Sequence, residues 1–305
     1  MSMKISVVGC GKVGSAVAYT AVLKSLADDI VLVDASCDKA RGEALDVLQC
    51  RAFAPQVNIR QGEMADTAGS DIVVITAGIP RKADEPRVLL LSRNAALVGD
   101  IVRQAVRFSP NCILFMITNP LDVITQLAYK VSGFPRERVI GMGTVLDTSR
   151  YRSCLARDFA AAARDIDAYV VGEHGETMVP VKTGIRVRGI PLEKWPGFAS
   201  DKLDSVVTEV IAASGQVIAL KGGTVFAPAV SACAVLEALV RDSNAVLPVC
   251  TYQEDLGVCV SLPTIVNRAG AKQVVDLPIS AEEDQLFVKS VDNIRSYVKD
   301  LAAYL

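Results

Sequence analysis

The feature that most constrains this chain is the hexapeptide Gly9-Cys10-Gly11-Lys12-Val13-Gly14, which lies between a β-branched run at Ile5 to Val8 and a helical pattern beginning at Val13. Three glycines at that spacing suit a strand-to-helix turn: one for the tight bend, one for close approach to a phosphate, and one for helix-on-strand packing. Alone the pattern is weak, because glycine-rich turns join strands to helices in many folds. Here Asp34 ends the next apolar run about 20 residues on, where a carboxylate can accept bonds from a ribose and repel a 2′-phosphate. Ala35 and Ser36 follow, with no arginine to reverse that preference. The expected ligand is NAD.

The surrounding pattern agrees. Ile5 to Val8, Ile30 to Val33, Ile72 to Thr76 and Cys112 to Ile117 are short and almost wholly apolar, as strands covered on both faces must be. Helical spacing fills the gaps at Val13 to Leu26, Lys39 to Cys50 and Val88 to Arg107. Alternation of this kind predicts a Rossmann doubly wound parallel sheet over 1–143. Beyond Gly141 the texture changes. A helix is expected from Asp147 to Ala163, a strand at Tyr169 to Val171, helices near 203–220 and 227–240, strands at Ala245 to Cys250 and Gly257 to Leu262, and a last helix from Ala281. This second unit, 144–305, reads as an α+β substrate-binding and catalytic domain.

The 305 residues are 51% hydrophobic and 22% charged with a net charge of -2, so the chain can bury a large core and lacks the basic excess that nucleic acid demands. The eight cysteines show no CxxC and sit mostly in apolar runs, a usage that fits a reducing, cytoplasmic setting without disulfides or a bound metal. The N-terminus has no leader-like apolar segment, and no run reaches about 18 uninterrupted apolar residues, so neither export nor a membrane role is expected.

Chemistry-bearing residues concentrate in three places. His174 is the only histidine, set in the glycine-flanked Gly172-Glu173-His174-Gly175 just after an apolar strand, and an imidazole there suits proton exchange at neutral pH. Asp147 and Arg150 project from one face of a helix, either as a surface ion pair or as two charges aimed at a site. The polar segment Gly78 to Arg87 leaves the carboxyl edge of the strand predicted at Ile72 to Thr76, where it can be a solvated loop or a lid carrying Arg81, Lys82 and Arg87 over an anion.

Taken together, these residues resemble the lactate/malate dehydrogenase family. The marks stand in order along the whole chain: Gly9 to Gly14, Asp34, Thr76-Ala77-Gly78, Arg81, Arg87, Thr118-Asn-Pro-Leu-Asp122, Leu146-Asp-Thr-Ser-Arg150, Gly172-Glu-His-Gly-Glu176 and Lys221-Gly-Gly-Thr224. The resemblance implies that His174 exchanges the hydroxyl proton, Asp147 orients it, Arg150 clamps the substrate carboxylate and Arg87 polarises the carbonyl. Asn119 and Thr224 would complete the substrate site. Gly9, Cys10, Gly11, Lys12, Val13, Gly14, Asp34, Thr76, Ala77, Gly78, Asn94, Ile117, Thr118 and Asn119 would line the NAD site.

In this family an arginine at the place of Arg81 marks malate enzymes and a glutamine marks lactate enzymes. The resemblance therefore implies a small dicarboxylate as substrate, with oxaloacetate and malate as the pair interconverted. The alternatives are lactate or another 2-hydroxy acid, and a catalytically silent NAD-binding protein. Thr224 is shared with lactate enzymes, and Ala83-Asp84-Glu85-Pro86 departs from the usual malate-type lid. Self-association as a homodimer or homotetramer is also implied.

Overall fold

The computed structural model describes residues 2–79, 87–299, 301 and 304, with side chains undescribed at 87–90. The first half contains strands β1 (Lys4–Val8), β2 (Asp29–Val33), β3 (Asn58–Gln61), β4 (Ile72–Ile75), β5 (Ile113–Met116) and β6 (Val139–Gly141). Its helices are α1 (Lys12–Leu23), α2 (Cys37–Gln49), α3 (Arg87–Phe108) and α4 (Leu121–Ser132). All six strands run parallel in the order β3-β2-β1-β4-β5-β6. The chain reverses its winding direction between β1 and β4, and the carboxyl ends of those two strands open the crevice where ligands of such sheets bind. Four-residue β4, Ile-Val-Val-Ile, is buried along its whole length, which is why apolarity alone identifies it.

The second half is mixed. Helix α5 (Val145–Asp158) leads into short strands β7 (Ile166–Asp167), β8 (Val170–Val171), β9 (Val179–Pro180), β10 (Arg186–Val187) and β11 (Ile190–Pro191). Helices α6 (Ser200–Lys221) and α7 (Phe226–Val240) follow, then the antiparallel strands β12 (Ala245–Gln253), β13 (Val258–Asn267) and β14 (Gly270–Val274), and finally α8 (Ala281–Val298). Strand β12 pairs with β6 at Cys250 and Gly141, so the meander extends the parallel sheet to nine strands. A single sheet therefore runs from one sequence half into the other.

Helices cover both faces. Val17, Ala18 and Ala21 of α1 and Ala232, Cys233 and Leu236 of α7 share one buried cluster with Ile5 and Val7 of β1, while Leu91, Val98 and Val102 of α3 join Ile124 and Leu127 of α4 on the opposite face. A third cluster holds α5, β7, β10 and α6 together through Tyr151, Leu155, Ile166, Val187, Val206 and Val210. Helix α6 is the one described helix long and apolar enough to cross a bilayer by length and composition alone. Its buried residues Leu203, Val206 and Val210 pack on α5, and the rest of its length is mostly exposed.

Seven of the described strands escape detection by apolar runs. β6, β7, β9, β10 and β11 are only two or three residues long, and β3 (Asn-Ile-Arg-Gln) and β14 (Gly-Ala-Lys-Gln-Val) are edge strands interrupted by polar residues, so none has the continuous apolar run of a central strand.

Candidate active site

The glycine turn follows β1 directly. Gly9 adopts φ +104°, and a Cβ there would lie 2.4 Å from the Ala77 nitrogen. A Cβ on Gly14 would lie 1.9 Å from the Gly9 carbonyl oxygen, so α1 can seat against the turn only with glycine at that place. Around Gly11, which precedes α1, a Cβ would meet nothing within 4 Å, and the backbone there is open to a ligand. Helix α1 aims the N–H groups of its first turn, from Lys12 and Val13 onward, into the same crevice.

Asp34 stands at the end of β2. Its Oδ2 accepts from the Cys10 backbone N–H at 2.7 Å and its Oδ1 from the Ser36 N–H at 3.0 Å, with Lys39 paired at 3.6 Å. Burial pushes this carboxyl up, but the two amides and the lysine outweigh it and hold the group below its ordinary range. The ionised side chain is therefore in place for ribose hydroxyls. Cys10 points its thiol into the core toward the Val33 carbonyl, and burial and the Asp34 charge push it up to about 12.

Across the crevice, the Thr76 hydroxyl donates to the Gly9 carbonyl at 2.6 Å and the Thr118 hydroxyl to the Ala77 carbonyl at 2.7 Å. Gly78 lies against Thr118, where a Cβ would come within 2.8 Å of the threonine methyl. Asn94 is buried, and its amide bridges two loops: Oδ1 accepts from Ile79 N–H at 2.8 Å and Nδ2 donates to the Asn119 carbonyl at 2.9 Å. Ile117 is buried beside them, and the Asn119–Pro120 peptide is cis.

A cleft of about 580 Å³ continues from Asn119 past Asp147, Arg150 and His174 to Ile211 and Gly215 of α6. His174 occupies the turn after β8. Gly172, at φ +89°, exchanges backbone hydrogen bonds with Ser261, and the Glu173 N–H donates to Ser290 Oγ at 2.8 Å. Glu173 in turn accepts from Asn293 at 2.9 Å. The imidazole Nδ1 meets Asp147 Oδ2 at 2.6 Å, and the Arg150 guanidinium donates to Asp147 Oδ1 at 2.9 Å. Asp147 is 0% exposed, so this is a buried bridge and not the surface ion pair its spacing also allowed.

The charges of the three groups depend on one another. Burial pushes the His174 imidazole down, but attraction and hydrogen bonding from Asp147, with the charge of Asp122 added, leave it above 6.5. Burial likewise pushes Asp147 up, and His174 and Arg150 together bring it below its ordinary range. Arg150 Nη2 is buried and has no hydrogen-bond partner among the described residues. A buried cationic donor without an acceptor costs about 1–3 kcal/mol or more, and an entering carboxylate would remove that cost.

Not every expected residue gathers here. Thr224, in the loop between α6 and α7, is half-buried and does not line the cleft. Arg81 and the segment 80–86 lie outside the described residues, as does the side chain of Arg87, whose backbone opens α3. Sequence reasoning gives no role to Asp122 or to the wall formed by Met178, Ile211, Gly215 and Ile218. The wall has a legible signal: an apolar stripe along α6 broken by a glycine that packing does not require, since a Cβ there would meet nothing within 4 Å.

A dinucleotide crevice at the switch point of a parallel sheet, joined to a histidine–carboxylate pair beside an arginine, defines an NAD-dependent 2-hydroxyacid dehydrogenase. Residues 3–141 match the family model for the lactate/malate dehydrogenase NAD binding domain, and residues 144–304 match that for its alpha/beta C-terminal domain. The chain belongs to the lactate/malate dehydrogenase family.

Among its relatives, the L-lactate dehydrogenase of Clostridium perfringens is 39% identical over 304 residues, covering 97% of this chain and 96% of the relative. That of Acetivibrio thermocellus is 38% identical over 307 residues, covering 98% and 97%. The minor L-lactate dehydrogenase from Enterococcus mundtii in its ligands-bound form superposes with a TM-score of 0.94 at 30% identity, covering 98% of both chains. MGS-M5, a lactate dehydrogenase from a Medee basin deep-sea metagenome library, superposes with a TM-score of 0.96 at 30% identity, covering 99% of this chain and 100% of that one.

These relationships overturn the malate expectation. It rested on Arg81 alone, whereas the relatives described above, each matched over nearly its full length, are named lactate dehydrogenases. The physical weakness of the inference is local. Asp84 and Glu85 follow Arg81 closely in sequence, so the residue type at that one position does not by itself fix the charge a substrate would meet.

Proposed function

We propose that this enzyme interconverts pyruvate and L-lactate with NAD. Two supports carry different parts of the reading. The full-length relatives named L-lactate dehydrogenase support the substrate. The buried Nη2 of Arg150, without a hydrogen-bond partner among the described residues and beside the His174–Asp147 pair, supports the chemistry, because it calls for an anion next to a proton donor.

In the reductive direction the carboxylate of pyruvate binds Arg150, whose planar guanidinium can pair it through two parallel hydrogen bonds. Asp147 commits Nδ1, so Nε2 is the imidazole nitrogen left to deliver a proton to the carbonyl oxygen. The hydride for the carbonyl carbon would come from NADH when it is bound in the crevice. His174 leaves the step neutral, and in the reverse direction it takes the hydroxyl proton of lactate. Arg87 would stabilise the carbonyl oxygen as negative charge develops, and Asn119, which lines the cleft, would complete the substrate set. Gly9 through Gly14, Asp34, Thr76 to Gly78 and Ile117 to Asn119 would hold the dinucleotide, with Asn94 fixing two of those loops to each other.

Free cysteines at all eight positions support a reducing, cytoplasmic compartment. Exposed Phe53, Leu45, Leu23, Phe226 and Val230 support burial against further copies of the chain.

The test is NADH oxidation at 340 nm with pyruvate and oxaloacetate in parallel, repeated with Arg150→Lys. The expected result is a higher kcat/KM for pyruvate, falling at least tenfold in the variant because an ammonium cannot form the paired bonds. Oxaloacetate turned over as well as pyruvate would overturn the substrate, and an unaltered Arg150→Lys enzyme would overturn the clamp.

A further inference from the structure

Behind His174 lies a carboxylate to which the proposed reaction gives no role. Asp122 sits in the first turn of α4 and is 3% exposed. Its Oδ2 accepts the backbone N–H of His174 at 2.9 Å across 52 residues of sequence. Its Oδ1 has no hydrogen-bond partner among the described residues, and its polar neighbour there is the Cys250 thiol of β12. One neutral amide oxygen would satisfy the His174 N–H equally well, so the hydrogen bond alone does not account for a charge in this place. Burying a carboxylate is costly, and such groups persist where the charge itself is used.

Among the described residues, the titratable groups that act most on Asp122 are His174 and Glu173 from the turn after β8 and Cys250 from β12, and Asp147, Arg150 and Tyr297 line the same cleft. His174 in turn faces Asp147, Asp122 and Arg150. Two of its neighbours are thus carboxylates, and they grip different parts of the residue, Asp147 the ring and Asp122 the main chain.

We infer that Asp122 is a positioning residue for His174, fixing its turn through the amide and favouring the imidazolium through its charge. The inference rests on the acid/base role proposed for His174. Burial pushes the Asp122 carboxyl up to about 6, against the pull of His174 and its amide, so Asp122 changes charge close to the ordinary range of imidazole. The pair is then coupled. A proton on Asp122 weakens the hold on the imidazolium, and an imidazolium draws the proton off Asp122.

His174 is the only histidine, so ¹⁵N-histidine labelling yields one imidazole and one backbone amide to follow. In Asp122→Asn, which keeps an acceptor oxygen and removes only the charge, the imidazole midpoint is expected to fall by about one pH unit. With saturating NADH, the alkaline limb of kcat/KM for pyruvate should fall by the same amount, since reduction needs the imidazolium. In the unsubstituted protein the His174 amide should move in two steps, one with the imidazole and one near pH 6 with the carboxyl, a readout that survives if the variant does not fold.

An imidazole midpoint unchanged by Asp122→Asn, or a wild-type amide that moves in one step only, overturns the assignment. If the imidazole midpoint moves while the kinetic limb stays fixed, the coupling of Asp122 to His174 stands and the acid/base role of His174 fails. Undiminished turnover by His174→Gln would overturn that acid/base role independently of Asp122.

Discussion

Asp147→Asn removes one negative charge from a site that holds two cations. In the native protein Asp147 is 0% exposed and accepts from His174 at 2.6 Å and Arg150 at 2.9 Å. Asparagine offers one acceptor oxygen for those two donors and turns an N–H against the other, leaving a buried guanidinium or imidazole poorly paired. Breaking a buried pair in this way costs about 3–5 kcal/mol. At about 2 °C per kcal/mol for a chain of this size, Tm should fall by roughly 6–10 °C.

The loss depends on pH with a definite sign. The imidazole is raised in the folded protein, so its contribution is complete below its unfolded value near 6.5 and fades as pH rises through the higher folded value. Asp147 is lowered, so its contribution is complete above the unfolded value near 3.9 and fades as pH falls through the folded one. The stability difference between native and variant should therefore be greatest between about pH 4 and 6.5 and should shrink toward alkaline pH as the imidazolium loses its proton, leaving the Arg150 pair and a neutral Nδ1–H hydrogen bond. Urea unfolding at pH 5.5 and 9.5 measures it. The same substitution should lower kcat/KM for reduction by about a hundredfold or more, the usual worth of a positioned acid. An equal stability loss at both pH values would refute the coupling, and a kinetic loss under tenfold would refute the role given to Asp147.

Gly14→Ala should abolish NADH binding by fluorescence titration and lower Tm, because its Cβ would fall 1.9 Å from the Gly9 carbonyl oxygen. Asp34→Ser should raise the KM for NADH at least tenfold and narrow the preference over NADPH, since it removes the ionised carboxylate proposed to receive the ribose hydroxyls. Among the thiols, Cys37 is exposed and should react first with a disulfide reagent at pH 8, whereas Cys10, Cys112 and Cys233, each pushed up to about 12 by burial, should stay silent until the protein unfolds. Rapid labelling of Cys10 in the native state would contradict the packing of the glycine turn.

How far the chain announces itself follows from the range over which each cue acts. Strands β1, β2, β4 and β5 are legible because burial on both faces demands an unbroken apolar run, and that demand is local. The glycine turn and Asp34 are legible for the same reason: the turn, the crevice and the carboxylate that ends β2 are separated by one strand–helix–strand unit of fixed size. Residue types also carry the chemistry, since a single histidine in a glycine-flanked turn has few other uses.

Environment was decided by the tertiary structure. Asp147 and Arg150 at i and i+3 read more readily as an exposed ion pair than as a buried one, and only the packing of α5 against α6 and α7 makes them buried. Asp122 meets His174 across 52 residues, a contact between the start of α4 and the turn after β8 that no local pattern encodes. The join between β6 and β12, which carries one sheet through both halves, is likewise a long-range pairing. Periodicity and propensity describe what a segment does with its own neighbours in sequence. The charge a side chain holds, and what it can therefore do, depends on burial and on partners brought from elsewhere in the chain.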